Sequence, residues 1–213
     1  MRAIVIGSTG MVGTQLIKLL MENEEFTKIV SLVRRESGFN HVKLKEHIID
    51  FDQSENWSNL VKGDVLFSSL GTTIAQAKTK GAQFKVDFTY QFIVADIAAK
   101  NGVSKFVLIS SAGADSKSKI FYSKIKGELE DAVQSLPFKV ISILRPGQLD
   151  GNRSEKRIGE KMALSVMYGL NNLGLFMRYQ PIQAVQVARA MINAVNKTQS
   201  ASYSLDEVHQ LAK

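Results

Sequence analysis

Tyr122 and Lys126 stand four residues apart in the run Tyr122-Ser-Lys-Ile-Lys126, so a helix there places both on one face. An ammonium close to a phenol favours the phenolate, which makes that hydroxyl a usable acid or base near neutral pH. The same spacing also arises on any amphipathic helix, so the pair alone leaves both readings open. Ser110-Ser111 closes an apolar run, and a serine hydroxyl so placed can donate to the oxyanion of a carbonyl under hydride attack. A second chemistry lies in Gly7-Ser-Thr-Gly10-Met-Val-Gly13. Gly7 permits a tight turn, Gly10 lets backbone approach a phosphate, and Gly13 lets a helix pack on the preceding strand. The helix starting there would turn unpaired N–H groups toward an anion such as a dinucleotide pyrophosphate.

These residues need a scaffold, and the chain alternates strand and helix signals to supply one. Arg2–Ile6, Ile29–Val33, His47–Ile49, Asp64–Phe67, Phe106–Ile109 and Phe138–Leu144 read as strands. Helices are expected over Met11–Met21, Glu55–Val61, Gln83–Lys100 and Phe121–Ser135. Trp57 is expected to cap the second of these, and Phe84, Phe88 and Phe92 to pack in the core. Continuous apolar strands alternating with helices imply a parallel sheet covered on both faces. The pattern loosens after Arg145-Pro146-Gly147: Gly151–Glu160 reads as loop, Met162–Met177 as an interrupted helix, and Ile182–Val195 as a good one. A short strand and a terminal helix are expected within Ser202–Lys213. The fold class is therefore α/β, a Rossmann-like doubly wound parallel sheet with a small C-terminal helical cap. A single domain over 1–213 is expected, residues 148–182 forming the substrate-side cap.

The second strand ends Leu32-Val33-Arg34-Arg35, where an NAD-preferring fold usually carries an acidic residue for the ribose hydroxyls. A guanidinium pairs with phosphate and stacks on adenine, which favours NADPH over NADH. Two solvated charges at a strand end are the alternative.

Composition narrows the classes. The 213 residues carry 27 Lys and Arg against 20 Asp and Glu, a formal charge of +7. Those cations are spread along the chain rather than massed with aromatics, so nucleic acid is not an expected partner. No run approaches the roughly 18 apolar residues of a membrane span, and with a first strand expected at Arg2 no signal peptide is expected. With no cysteine in the chain, thiolate metal sites and thiol nucleophiles are excluded. The three histidines, His41, His47 and His209, lack metal-ligand spacing, so no metal is expected. The expected location is the cytoplasm, with a small-molecule substrate and a monomer or homodimer.

Together these segments resemble the short-chain dehydrogenase/reductase superfamily, and in particular its atypical branch of Tat-interacting-protein-like oxidoreductases. The likeness is carried by Gly7–Leu20, Val30–Arg35, Ile49-Asp50-Phe51 and Leu66–Thr73. It continues through Val86-Asp87, Phe106–Glu130, Leu144-Arg-Pro-Gly147 and Arg157-Ile-Gly-Glu160. The resemblance implies a catalytic set of Ser111 (in preference to Ser110), Tyr122 and Lys126, with Tyr122 the proton donor and Lys126 also a ribose ligand. It implies that Gly7, Ser8, Thr9, Gly10, Met11 and Val12 hold the pyrophosphate, and Arg34 and Arg35 the adenosine phosphate. Asp50 and Phe51 would flank adenine, Leu70, Gly71, Thr72 and Thr73 would pass under the ribose and nicotinamide, and Pro146 and Gly147 would line the nicotinamide end. The stretch between Ser111 and Tyr122 is short for the superfamily, which bears on turnover more than on cofactor binding. An NADPH-dependent oxidoreductase is the leading expectation, and an NADPH-binding regulatory or redox-sensing protein the alternative.

Overall fold

Apolar runs set the central strands, because such runs have no polar face to leave in water, whereas the outermost strands of the sheet are polar: Leu44–Ile48 reads LKEHI and Ala201–Ser204 reads ASYS. The computed structural model describes residues 1–150 and 181–213. Its main strands are β1 (Arg2–Ile6), β2 (Lys28–Val33), β3 (Leu44–Ile48), β4 (Val65–Ser68), β5 (Lys105–Ile109), β6 (Val140–Arg145) and β9 (Ala201–Ser204). They form one seven-stranded sheet in the order β3-β2-β1-β4-β5-β6-β9, and every neighbouring pair is parallel. The direction of strand addition reverses between β1 and β4, the place where open α/β sheets receive ligands.

Helices cover both faces. Alternation along β1 sends Ala3 and Val5 to one side and Ile4 and Ile6 to the other. The first side packs on α1 (Met11–Glu22) and α6 (Ala184–Ala194) through Leu16, Ile17, Val187 and Met191. The second packs on α4 (Tyr90–Lys100) and α5 (Phe121–Gln134) through Val94, Ala98, Leu129 and Val133. A terminal α7 (Asp206–Leu211) follows β9.

Three elements differ from the sequence reading: the third strand, expected at His47–Ile49, is Leu44–Ile48, because its partly exposed, polar residues give no apolar run to mark its start, and two helices differ. The helix expected over 83–100 begins earlier, as α2 (Ile74–Ala77) and α3 (Lys80–Phe84), and runs through a π-helical turn at Lys85–Thr89 into α4. The helix expected at 55–61 is two 3-10 turns, Ser54–Asn56 and Ser58–Leu60, separated by Trp57 with φ −133°. Trp57 does not cap an edge helix. It is 2% exposed, and its indole N–H donates to the Asp50 carbonyl at 2.7 Å, which pins the loop and interrupts helical repeat. Phe84, Phe88 and Phe92 stack on one another at 4.9 and 5.9 Å but stay half-buried.

Beyond β6, β7 (Leu149–Asp150) and β8 (Ile182–Gln183) form a separate parallel pair. The rest of the predicted cap, with the loop expected at 151–160 and the helix at 162–177, lies outside the described residues. Among those described, no helix is long and apolar enough to cross a membrane.

Candidate nucleotide and active site

Parallel pairing brings every strand's carboxyl end to one edge of the sheet, and the candidate residues follow those ends. Gly7 leaves β1, Arg34 and Arg35 leave β2, Leu70 to Thr73 follow β4, Ser110 follows β5, and Pro146 follows β6.

The glycine turn is shaped by contact as much as by flexibility. Gly7 has φ +82°, and a Cβ there would lie 2.4 Å from the Leu70 nitrogen. A Cβ on Gly13 would lie 2.0 Å from the Gly7 carbonyl oxygen, so only glycine lets α1 reach β1. Gly10 is the N-cap of α1 and brings no capping side chain, and the first turn holds no acidic residue. The amides of Met11 and Val12 are thus left without a competing carboxylate, as an incoming phosphate requires. Thr9 and Gly10 are exposed, whereas Ser8 is fully buried. Its hydroxyl accepts from Ser31 at 2.7 Å, tying the turn to β2 rather than facing a ligand. This cradle fits a dinucleotide.

On the other side of the reversal, α5 carries Tyr122 and Lys126. Tyr122 is 40% exposed, while Lys126 is 4% exposed, with its ammonium 6.0 Å from the Tyr122 ring centre. Lys126 pairs at 3.3 Å with Asp87, which is fully buried in the π-helical turn. The Asp87 carboxylate also accepts from the Thr72 N–H at 3.3 and 3.4 Å. The 70–73 loop, the π turn and α5 therefore meet at one carboxylate. Gly71 is open there: a Cβ would come within 3.2 Å of Asp87 Oδ1 and 3.8 Å of Lys126 Nζ.

Both serines sit at the end of β5, in different states. Ser111 is half-buried and donates to the Ala112 carbonyl at 3.3 Å. Ser110 is buried, and its hydroxyl has no partner among the described residues, an orphan of the kind a ligand satisfies. Ala112 donates to the Pro146 carbonyl at 3.0 Å, which joins the loops after β5 and β6. The short stretch from Ser111 to Tyr122 folds onto α5. A Cβ on Gly127 would lie 2.1 Å from the Ser116 nitrogen, so that loop runs against the helix backbone.

The adenosine side is more open. Arg34, Arg35 and Asp50 are exposed. Phe51 is 4% exposed and packs on Tyr90 and Trp57 at 5.1 and 6.0 Å, so its ring belongs to the core. Beside it Asp52 accepts from Lys85 at 2.7 Å and from Tyr90 at 3.2 Å. The Lys85 hydrogen bond holds the Asp52 carboxyl below its usual range, and burial pushes the Tyr90 phenol up. A cleft of about 660 Å³ opens along β3, and of the expected cofactor residues it is lined by Asp50 alone.

Sequence reading missed Asp87 as the partner of Lys126, the Thr72 amide, and Glu130. Glu130, one turn beyond Lys126, is buried and binds Arg145 with both carboxylate oxygens. Its i+4 spacing from Lys126 points to a partner other than the Arg145 it binds, so the spacing gave no signal of this pair.

With this geometry in view, the comparisons with known proteins are consistent. A family model described as NAD(P)H-binding matches residues 7–198. Protein FMP52, mitochondrial, of Candida albicans is 33% identical over 203 residues, 92% of this chain and 89% of that one. Its namesake in Saccharomyces cerevisiae is 37% identical over 161 residues, covering 74% and 69%. Among solved structures, a short-chain dehydrogenase/reductase superfamily protein from Agrobacterium tumefaciens with bound NAD superposes with TM-score 0.73 at 14% identity, over 96% and 77% of the two chains. UDP-glucose 4-epimerase of Thermotoga maritima gives 0.69 at 15%, over 100% and 82%. At such identities these structures share the fold alone. The expected cytoplasmic location is overturned by the relatives, whose names place them in mitochondria. Matched across 7–198 and related over most of its length to FMP52 proteins a third identical to it, the chain belongs to the NAD(P)H-binding family.

Proposed function

We propose that this protein is an NADPH-dependent oxidoreductase that reduces the carbonyl of a small substrate. The observation that carries the reading is the buried, ion-paired Lys126 on the same α5 face as half-exposed Tyr122, beside loops that follow the glycine cradle's neighbouring strands. The bound cofactor supplies the hydride. Tyr122 gives its hydroxyl proton to the carbonyl oxygen and, being partly exposed, regains one from water. Lys126 holds the nicotinamide ribose and favours the phenolate left behind. Ser111 donates to the carbonyl oxygen, and Pro146 and Gly147 line the nicotinamide end. Arg34 and Arg35, exposed at the end of β2, meet the adenosine phosphate.

Titration of the purified protein with NADPH and NADH tests the cofactor half. NADPH binds more tightly, and Arg34→Ala or Arg35→Ala weakens it about tenfold, the size of one charge-assisted hydrogen bond, while NADH is little changed. Failure to bind either nucleotide sinks the reading. Tyr122→Phe tests the chemistry: NADPH oxidation with aldehydes, ketones and quinones is lost while nucleotide affinity stays within about twofold.

A regulatory, NADPH-sensing protein is the second reading, favoured by the short stretch from Ser111 to Tyr122, which runs against the α5 backbone at Gly127. It holds if nucleotide binds and no substrate is turned over by the wild type. Relatives named as mitochondrial support a mitochondrial location here, which cell fractionation checks.

A further inference from the structure

Asp87 is a fully buried carboxylate with two partners on two different elements: the ammonium of Lys126 on α5 and the N–H of Thr72 in the loop after β4. Its own backbone is fixed as well. Gln91 donates to the Asp87 carbonyl at 2.8 Å and accepts from Ser68, the last residue of β4, at 2.6 Å. The π-helical turn at 85–89 sets Asp87 between these partners, and such turns recur where a helix must present a side chain to a site. The structure also leaves a gap at this point, since Gly71 offers no side chain over Asp87 Oδ1 and Lys126 Nζ.

We propose that Asp87 is a positioning residue that holds Lys126 and the 70–73 loop as one charge-compensated unit, so that nucleotide affinity depends on its charge and not only on its shape. The proposal rests on the nucleotide-binding reading above. A buried ammonium is stable as a cation only with a counter-charge. Among the described residues, the groups placed to face it are Asp87 from the π turn and Tyr122 from its own helix, while Glu130, one turn on, is engaged by Arg145. Asp87 is therefore the counter-charge of the cation assigned to the ribose, and the Thr72 contact makes the loop beneath the ribose follow it.

Asp87→Asn separates charge from shape, because the amide keeps the volume and an acceptor for the Thr72 N–H. The measurement is NADPH affinity from pH 6.5 to 9, read by nucleotide fluorescence, which requires no turnover. The wild type is expected to change little across that range. Asp87→Asn is expected to bind about tenfold more weakly at pH 8 than at pH 6.5, because an unpaired buried ammonium gives up its proton more readily. An Asp87→Asn profile that matches wild type in affinity and pH dependence overturns the proposal. Should Asp87→Asn fail to fold, the double variant Asp87→Asn, Lys126→Met decides. A folded double variant supports charge compensation, because removing both charges is tolerated where removing one is not. An unfolded double variant overturns it, because the site then needs the shape of the pair. Failure of wild-type protein to bind nucleotide is a different result, and it sinks the nucleotide-binding reading itself together with this inference.

Discussion

Gly71 shows how a missing side chain serves the site. Its backbone is outside the left-handed region, so alanine introduces no strain in the chain. The added methyl instead lies 3.2 Å from Asp87 Oδ1 and 3.8 Å from Lys126 Nζ, tighter than ordinary contact at the first. Gly71→Ala is expected to weaken NADPH binding severalfold with the pH profile of the wild type, a result that nucleotide titration distinguishes from loss of the Asp87 charge. Tyr122 and Lys126 were legible in the sequence because their spacing fixes a shared face whatever surrounds them. Asp87 was not. Val86-Asp87 entered only as part of the likeness, with no role, because nothing in Phe84-Lys-Val-Asp-Phe88 signals the burial that the arrival of α5 and the 70–73 loop imposes. Arg34 and Arg35 stand where their place after an apolar strand put them.

At the scale of elements, close approach is the controlling fact. Gly13→Ala puts a methyl 2.0 Å from the Gly7 carbonyl oxygen and 2.8 Å from Ser69 Oγ. That clash forces α1 away from the turn and costs about 3 kcal/mol, the upper end for overpacking. Nucleotide binding should be lost with it. Gly81→Ala, in α3 with nothing within 4 Å, should be neutral or gain up to about 1 kcal/mol from helix propensity. Urea unfolding of the two variants checks both signs. The central strands and the helices α1 and α5 were readable from apolar runs and helical spacing, because burial leaves a strong signature, whereas the polar, partly exposed β3 was not. The two 3-10 turns were not, since their cause is the anchoring of one indole to the Asp50 carbonyl. Nor was the π turn, which inserts into an otherwise regular helical pattern.

The whole molecule carries a pH response that begins on β3. Burial and the charges of Lys45 and Lys28 hold the His47 imidazole below its usual range. On acidification the unfolded chain therefore takes its proton before the native one. Stability from this group is intact above about pH 6.5 and is lost as pH falls toward the depressed native value. The melting temperature should drop between pH 7 and 5 in the wild type, and less steeply in His47→Gln. The lowered Asp52 carboxyl adds a loss only in the more acidic carboxylate range. Cellular address, by contrast, was not written in composition: lack of cysteine permits a reducing compartment without choosing one, and the relatives corrected the choice.

The small pair β7 and β8 has a consequence for how such proteins diversify. Leu149 lies across from Ile182 and Asp150 from Gln183, so the chain departs and returns at adjoining points, outside the seven-stranded sheet. Because the two strands pair parallel, a connection between them needs about a dozen residues or more, and its two ends are fixed by a pairing that takes no part in the register of the seven strands that carry the cradle. A graft of the intervening stretch between relatives is therefore expected to keep the parallel sheet, which circular dichroism of the chimera checks.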